Sequence, residues 1–428
     1  MYRIFIFLYL FAIRLAALWN PKARTWLLGR KDGIPQLRRS LGSEQRTVVW
    51  FHCASLGEFE QGRPLIEQLR LRYPGVYILL TFFSPSGYEA CKNYAGADHI
   101  AYLPMDTPGN ARSFLDACSP SLAIFVKYEF WHYYLEALKT RQIPTLLVSA
   151  VFRDDQPFFR WYGRFWRNML GSFSKIFVQD NRSLDLLKGL KLGDKAVFSG
   201  DTRFDRVLEI TEDGARREIP PAAAFAAGHT LIVAGSTWSE DEKELAHFVR
   251  AHPDVRFIIA PHEIGKEHLK EIRQRFPDHI LYSEYEKTYL GTGATGASSA
   301  ERPRQAQCLI IDNIGLLSRL YQYGAITYVG GGFGGDGVHN VLEAAVWGKP
   351  VVYGPIYDKY REATELLESG GGLTASNTLE LEHTFGRLLK DPGAREQAGN
   401  AARIYVERKT GATRCILEYI HEKRLLTS

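Results

Sequence analysis

The chain has 428 residues, 45% hydrophobic and 24% charged, with a net charge of +5 and a pI near 8.8. Its length exceeds one ordinary core, so two domains are expected, and its composition excludes a disordered or fibrous chain. Five scattered cysteines without a C-x-x-C pair (Cys53, Cys91, Cys118, Cys308, Cys415) argue against a disulfide framework or a zinc site, and mild basicity without a zinc-finger or RNP-like motif suits an anionic substrate or a membrane surface without demanding nucleic acid.

Met1–Trp19 is strongly apolar but carries Arg3 and Arg14. Only Ile4–Ile13 is free of charge, short of the roughly 20 residues a spanning helix needs. The two arginines fall on nearly one helical face. Tyr2, Tyr9 and Trp19 suit the headgroup region, and Lys22, Arg24, Arg30 and Lys31 follow as a basic collar. The segment reads as a helix lying in a membrane surface. A single span with snorkelling arginines and a buried N-terminal helix are the alternatives. A cleaved signal peptide fits poorly, because Arg14 splits the apolar run and no A-x-A site follows.

Thr47–Phe51 reads as a strand, Glu60–Tyr73 as a helix, and Val76–Phe82 as a second strand. Ser84–Gly87 is a loop suited to capping the next helix. Ile100–Leu103, Leu122–Val126, Thr145–Val148 and Lys175–Val178 continue as short apolar runs between helix-like segments. That alternation implies a parallel sheet covered on both faces. The character changes near Val197–Arg206, and Thr211–Gly228, rich in charge, Pro and Ala, is the place for a linker. A second series follows: strand Leu231–Ala234, turn Gly235–Trp238, helix Glu240–Ala251 capped by Ser239, strand Phe257–Ala260 and loop Pro261–Glu263. Tyr285–Arg304 is expected as a mobile loop. Leu309–Ile311, Ala325–Val329 and Pro350–Tyr353 are further strands, and Arg395–Leu426 is a long helical pattern broken near Lys409–Gly411.

The expected fold class is α/β, with two Rossmann-like domains facing a cleft and ligands beyond the carboxyl ends of the strands. The expected division is 1–31 as a membrane-associated helix and collar, 32–210 as the N-terminal domain, 211–228 as linker and 229–405 as the C-terminal domain. A C-terminal helix, 406–428, is expected to pack back on the N-terminal domain.

Gly330–Ala345 reads GGGFGGDGVHNVLEAA. It predicts a strand, a glycine-rich turn and a helix, with a backbone that a phosphate can approach closely. Asn340 and Glu343 have capping-box spacing. No P-loop sequence is present, and the G-x-G-x-x-G match is weak because several registers fit so glycine-rich a run. A tight turn without a ligand is the bland reading. In the N-terminal half, Ser55-Leu-Gly-Glu58 follows the first strand. Glu58 reads equally as a general base or as a helix-start carboxylate, with Glu60 its competitor. Glu129, in VKYEFWH, stands among aromatic residues past another strand, again either functional or merely structural. His52 reads as a core histidine before a ligand contact. Neither an H-E-x-x-H cluster nor a G-x-S-x-G elbow occurs.

These motifs together resemble the 3-deoxy-D-manno-octulosonic acid (Kdo) transferases of lipopolysaccharide assembly, inverting enzymes of the GT-B fold. The resemblance runs in order through N-P-K-A-R, S-L-G-E near Glu58, Y-E-F-W near Glu129, Gln179–Asn181, Gly200–Asp205, Ala234–Thr237, Ala260–His262 and Gly330–Ala345. It implies CMP-Kdo as donor, held mainly by the C-terminal domain, and a lipid A precursor as acceptor on the N-terminal domain. It implies work at the cytoplasmic face of the inner membrane without a cofactor or metal. Glu58 matches the general base and Glu129 a second active-site acid. Ser55, Gly57, Ser236, Thr237, Pro261, His262, Gly332, Gly335, Gly337, His339, Asn340 and Glu343 fall at substrate- or CMP-binding positions, with Glu343 on the ribose. There are departures. Lys127 stands where an acid is common, Pro261-His262-Glu263 lacks the arginine of P-R-H, Gly337-Val-His-Asn340 replaces G-G-H-N, and Asp358–Tyr360 replaces an N-F pair. Another GT-B nucleotide-sugar enzyme and a catalytically silent nucleotide- or lipid-binding module are the alternatives.

Overall fold

The computed structural model describes residues 2–42, 44–216, 218–294 and 306–426. They form two compact units, Met1–Arg206 with Lys409–Ser428, and Val207–Arg408.

The first unit holds seven strands: β1 (Val48–Cys53), β2 (Tyr77–Phe82), β3 (His99–Tyr102), β4 (Leu122–Val126), β5 (Thr145–Ala150), β6 (Lys175–Val178) and β7 (Ala196–Phe198). Their order is β3-β2-β1-β4-β5-β6-β7. All the pairs are parallel. β1, β2, β4 and β5 are buried at every position, so they read as continuous apolar runs rather than alternating ones. One face packs Trp50, Phe114, Phe125 and Tyr134 together. The other packs Leu65, Ile66 and Leu80 against Ile416, Leu417 and Ile420 of the last helix, Ala412–Glu422. That helix starts at Gly411, whose φ of +112° breaks the preceding helix Pro392–Glu407. Asp205 fixes the break by accepting from the Gly411 N–H (2.6 Å) and the Thr413 N–H (2.7 Å).

The second unit holds β8 (Leu231–Thr237), β9 (Arg256–Pro261), β10 (His279–Leu281), β11 (Cys308–Ile310), β12 (Ile326–Val329), β13 (Val351–Tyr353) and β14 (Gly372–Thr374). The order is β10-β11-β9-β8-β12-β13-β14, again with all pairs parallel. In both sheets the order reverses beside the first strand, between β1 and β4 and between β8 and β12. Helices that leave adjacent strands on opposite faces open a crevice at such a reversal.

Several sequence expectations change here. The stretch taken as linker carries helix Pro220–Ala226 and the end of helix Thr202–Arg216. The expected turn at Gly235–Trp238 is largely strand, since β8 runs on to Thr237. The expected loop from Tyr285 is helical to Ala294, and residues 295–304 lie outside the described residues. Helix Leu56–Arg72 begins well before Glu60.

The N-terminal helix, Tyr2–Ala16, lies on the first unit. Ile6 is buried with Trp26 and Met105, and Tyr2, Tyr9, Leu10 and Ile13 pack around them. The Tyr2 hydroxyl donates to Asp106 at 2.6 Å. Ile4, Phe5, Phe7, Leu8 and Phe11 point outward, Phe7 with 67% of its surface exposed. Among the described residues, no helix is long and apolar enough to cross a membrane. Arg30 is not a free member of the basic collar. Its guanidinium donates to the carbonyls of Leu103, Trp26 and Phe83 and lies 3.7 Å from the Trp26 ring centre. Desolvation pulls it down to about 9.

Truncating Ile420 removes a fully buried side chain from the last helix. Ile420→Ala is expected to cost roughly 2–5 kcal/mol in chemical denaturation of the first unit. An unchanged midpoint would remove this helix from that core.

Candidate active site

Glu58 and Glu129 follow β1 and β4, the two strands at the reversal. Ser55 is extended (φ −139°, ψ −179°) as the N-cap of helix Leu56–Arg72, yet its side chain caps no backbone N–H. Its hydroxyl donates instead to the Glu58 carboxylate. The pair fixes the direction of a half-buried acid in the first helical turn. Gly57 is exposed between them. Glu60 instead pairs with Arg206, whose Nε lies 4.0 Å from its carboxylate. Burial pushes the Cys53 thiol well up, and the Glu58, Glu129 and Glu60 carboxylates add in the same direction. Glu58 and Glu129 thus follow neighbouring strands, β1 and β4, and both act on Cys53 at the end of β1.

Glu129 is held by a chain of buried polar groups. Trp50 Nε1–H donates to Thr81 Oγ1 (2.8 Å), and the Thr81 hydroxyl donates to the Phe51 carbonyl (3.2 Å). His52 Nδ1 shares a hydrogen bond with the same Thr81 hydroxyl at 2.9 Å. His52 Nε2 then faces Glu129 Oε2 at 3.1 Å. Trp131 Nε1–H donates to the same Oε2 at 2.7 Å and lies 3.0 Å from His52 Nε2. His52 is thus buried, as a core histidine would be, but it also stands directly against an acid. The approach to Glu129 is bent by Lys127, a non-glycine residue at φ +70°. Such a conformation costs about 1–3 kcal/mol and collects at functional turns.

In the second unit the equivalent loops follow β8, β9, β12 and β13. Ser236 has φ +53°, where the register of β8 against β9 shifts. Thr237 Oγ1 donates to Glu242 (3.2 Å), a fully buried acid that also takes His268 Nε2 (2.9 Å) and Arg275 Nη1 (2.7 Å). Burial raises the Glu242 carboxyl, and these cationic partners oppose the rise. Asp241, equally buried, accepts from the Trp238 N–H (2.9 Å), the Gly331 N–H (2.8 Å) and the Tyr328 hydroxyl (2.7 Å). It ties the loop after β8 to the loop after β12.

Beyond Pro261, His262 stacks against both Trp238 (4.7 Å) and His339 (4.3 Å), whose own ring centres lie 6.3 Å apart. Trp238 Nε1–H donates to His339 Nε2 at 2.8 Å, so neutral His339 carries its hydrogen on Nδ1. Desolvation, with His262 adding, lowers His339 to about 4.

The glycine run serves packing more than expected. A Cβ on Gly332 would sit 2.6 Å from the Gly354 nitrogen, and one on Gly330 2.4 Å from the Ser236 oxygen. Gly337 needs its φ of +91°. A Cβ on Gly335, in contrast, would meet nothing within 4 Å. The expected helix is a single turn, Leu342–Ala345, and its N-cap is Val341 rather than Asn340. A dipole of one turn offers a phosphate little. Asn340 still accepts from the Leu342 N–H (3.2 Å) and donates to Glu343 (3.1 Å), so these two side chains act as a pair.

The structure brings Ser55 and Glu58 together, Glu129 beside His52, and His262 beside His339. Sequence reasoning missed Trp131, Trp238, Asp241 and Glu242. The run STWSEDE, with an aromatic and three acids opening a helix after a strand, is the signal it passed over.

Residues 31–206 match the family model described as 3-deoxy-D-manno-octulosonic-acid transferase (kdotransferase). Proteins named 3-deoxy-D-manno-octulosonic acid transferase are similar along most of the chain. That of Aquifex aeolicus is 27% identical over 372 residues, 84% of this chain and 92% of its own length. That of Bordetella pertussis is 27% identical over 387 residues, 87% of each. Among solved structures, UDP-GlcNAc 2-epimerase from Neisseria meningitidis bound to UDP-GlcNAc matches with a TM-score of 0.60 at 16% identity, covering 88% of this chain and 100% of that one. A glycosyltransferase from Rickettsia africae matches at 0.54 and 14% identity, covering 89% and 99%. These structures share the fold, two Rossmann-like units of the GT-B kind.

Two outcomes follow from the second unit. Gly332→Ala should cut stability sharply, by about 2 kcal/mol or more, whereas Gly335→Ala should melt like the parent. Equal melting of the two variants would contradict the packing role. Because His339 is held below its ordinary 6.5, the unfolded chain binds a proton that the folded one refuses between pH 6.5 and about 4. Stability is therefore unaffected above 6.5 and falls as pH drops through that window. His339→Gln should flatten this part of the pH–stability curve, and an unaltered slope would show that His339 titrates normally.

Proposed function

We propose that the chain is a Kdo transferase, a glycosyltransferase that moves Kdo from CMP-Kdo to a lipid A precursor with inversion at the anomeric carbon; the family-model match over residues 31–206 and the relatives 27% identical along most of the chain support this reading. The observation that carries this reading is the Ser55–Glu58 pair at the strand-order reversal of the first unit. Glu58 takes the proton of an acceptor glucosamine hydroxyl as that oxygen attacks the anomeric carbon of Kdo. The new C–O bond forms as the bond to the CMP phosphate breaks, and its electron pair leaves on the phosphate. A phosphate leaves readily, so the step as written calls on neither a general acid nor a metal.

Glu129, fixed by His52 and Trp131, orients the acceptor or the Kdo beside Glu58. In the second unit the Trp238–His262–His339 stack offers a flat edge to cytosine. The Asn340–Glu343 pair suits the ribose hydroxyls. Ser236, Thr237 and the open side of the loop at Gly335 suit the phosphate, through backbone N–H groups rather than a helix dipole. The outward apolar face of helix Tyr2–Ala16 supports docking on a membrane surface, the cytoplasmic face of the inner membrane, where a lipid acceptor is met in two dimensions.

Glu58→Gln preserves shape and removes the base. Binding of CMP-Kdo should persist while transfer falls by roughly 10²–10⁴. Turnover near that of the parent would take Glu58 out of the mechanism.

A further inference from the structure

Trp161 has 91% of its surface exposed and Tyr162 beside it 55%, the most protruding aromatic pair among the described residues of the first unit. Neither packs in a core cluster, and they contact one another edge-on at 5.6 Å. The loop that carries them is built rather than loose. Phe158 is buried beneath it, and Arg167 Nη1 donates to the carbonyls of Phe158 (3.1 Å) and Arg160 (2.9 Å). The Gly163 N–H donates to the Arg160 carbonyl at 2.9 Å, and a Cβ on Gly163 would clash with the Pro157 oxygen at 2.0 Å. The turn therefore closes tightly and holds both rings outward.

Water is a poor reason to hold a tryptophan in this way. Trp and Tyr favour the headgroup zone of a bilayer, where an apolar body and a polar edge are both satisfied. Exposed Arg160 and Arg164 flank the rings and match an anionic lipid surface. The loop also adjoins the N-terminal helix. Helix Arg164–Leu170 follows it directly, and Phe165 there lies 5.5 Å from the Tyr2 ring. Tyr2 opens the helix whose Ile4, Phe5, Phe7, Leu8 and Phe11 face outward.

We propose that the Trp161–Tyr162 tip is a second membrane contact, inserting its rings among the headgroups of an anionic bilayer while Arg160 and Arg164 engage lipid phosphates. This rests on the reading that helix Tyr2–Ala16 docks on a membrane. A single helix fixes where the first unit sits but leaves it free to roll about the helix axis. A second contact removes that rotation and fixes how the unit faces the bilayer.

The test is sedimentation of the full chain with sucrose-loaded vesicles of phosphatidylethanolamine and phosphatidylglycerol, and with vesicles of phosphatidylcholine alone. Trp161→Ala should weaken partitioning to the anionic vesicles by roughly tenfold, and Trp161→Phe should recover part of the loss. Arg160→Gln with Arg164→Gln should weaken binding to anionic vesicles and leave the neutral ones unchanged. Phe7→Asp serves as the comparison. If Phe7→Asp weakens binding and Trp161→Ala does not, the tip proposal fails and the helix reading stands. If Trp161→Ala weakens binding and Phe7→Asp does not, the tip stands without the helix. If neither does, both fail. A Trp161→Ala variant with parental partitioning but a raised KM for the lipid acceptor would mean that the tip holds acceptor, and would overturn the bilayer assignment. The native near-ultraviolet dichroism of each variant confirms folding, which an exposed position should not disturb.

Discussion

The reversal of strand order beside β1 and again beside β8 is the constraint on which the rest depends. Parallel pairing sends every strand's carboxyl end to one edge of its sheet. The reversal then parts the connections at a single place on that edge. Glu58 and Glu129 stand at this place in the first unit, and Ser236–Trp238 with Gly330–His339 in the second. Segments 77 to 101 residues apart in sequence meet there, as His52 meets Glu129 and Trp238 meets His339, because the topology brings adjacent strand ends together.

Holding side chains at such an edge costs free energy, and the chain meets the cost locally. Lys127, Ser149 and Ser236 all adopt positive φ near strand ends. Ser149 is braced by Thr202, whose own hydroxyl lies 2.6 Å from the Gln61 carbonyl. His52, Asp241 and Glu242 are wholly buried, but each is met by two or more polar partners. Taking one partner from a buried charge costs far more than the intact group contributes to stability. These networks therefore define geometry more than they add stability.

Much of this was legible in the sequence. β1, β4 and β12 stood out because fully buried parallel strands are continuous apolar runs. The short edge strands β7, β10 and β14 did not, since they are only partly buried and need no continuous apolar run, whereas β11 and β13, equally short, are buried throughout and read as strands. Glu58 was visible from its place after a strand and before a helix. Its pairing with Ser55 was not, because an N-cap serine commonly bonds a backbone N–H, and here the hydroxyl bonds the Glu58 side chain instead. The glycine run was read as room for a ligand, while Gly330 and Gly332 are spent on close approach to Ser236 and Gly354. That contact joins loops after different strands, and no local pattern encodes it. Trp238 was overlooked for the same reason, as its partners His262 and His339 arrive from β9 and β12. The motif Gly200–Asp205 gained a structural meaning instead, with Asp205 anchoring the returning C-terminal helix.

The central claim is that these two half-sites serve transfer of Kdo to a lipid. The most direct measurement is mass spectrometry of the products formed when the purified chain meets CMP-Kdo and a tetraacylated lipid A precursor in vesicles. The account predicts lipid species heavier by one or more Kdo residues, with CMP released in equal number. Release of CMP with an unmodified lipid, or no consumption of CMP-Kdo at all, would contradict it.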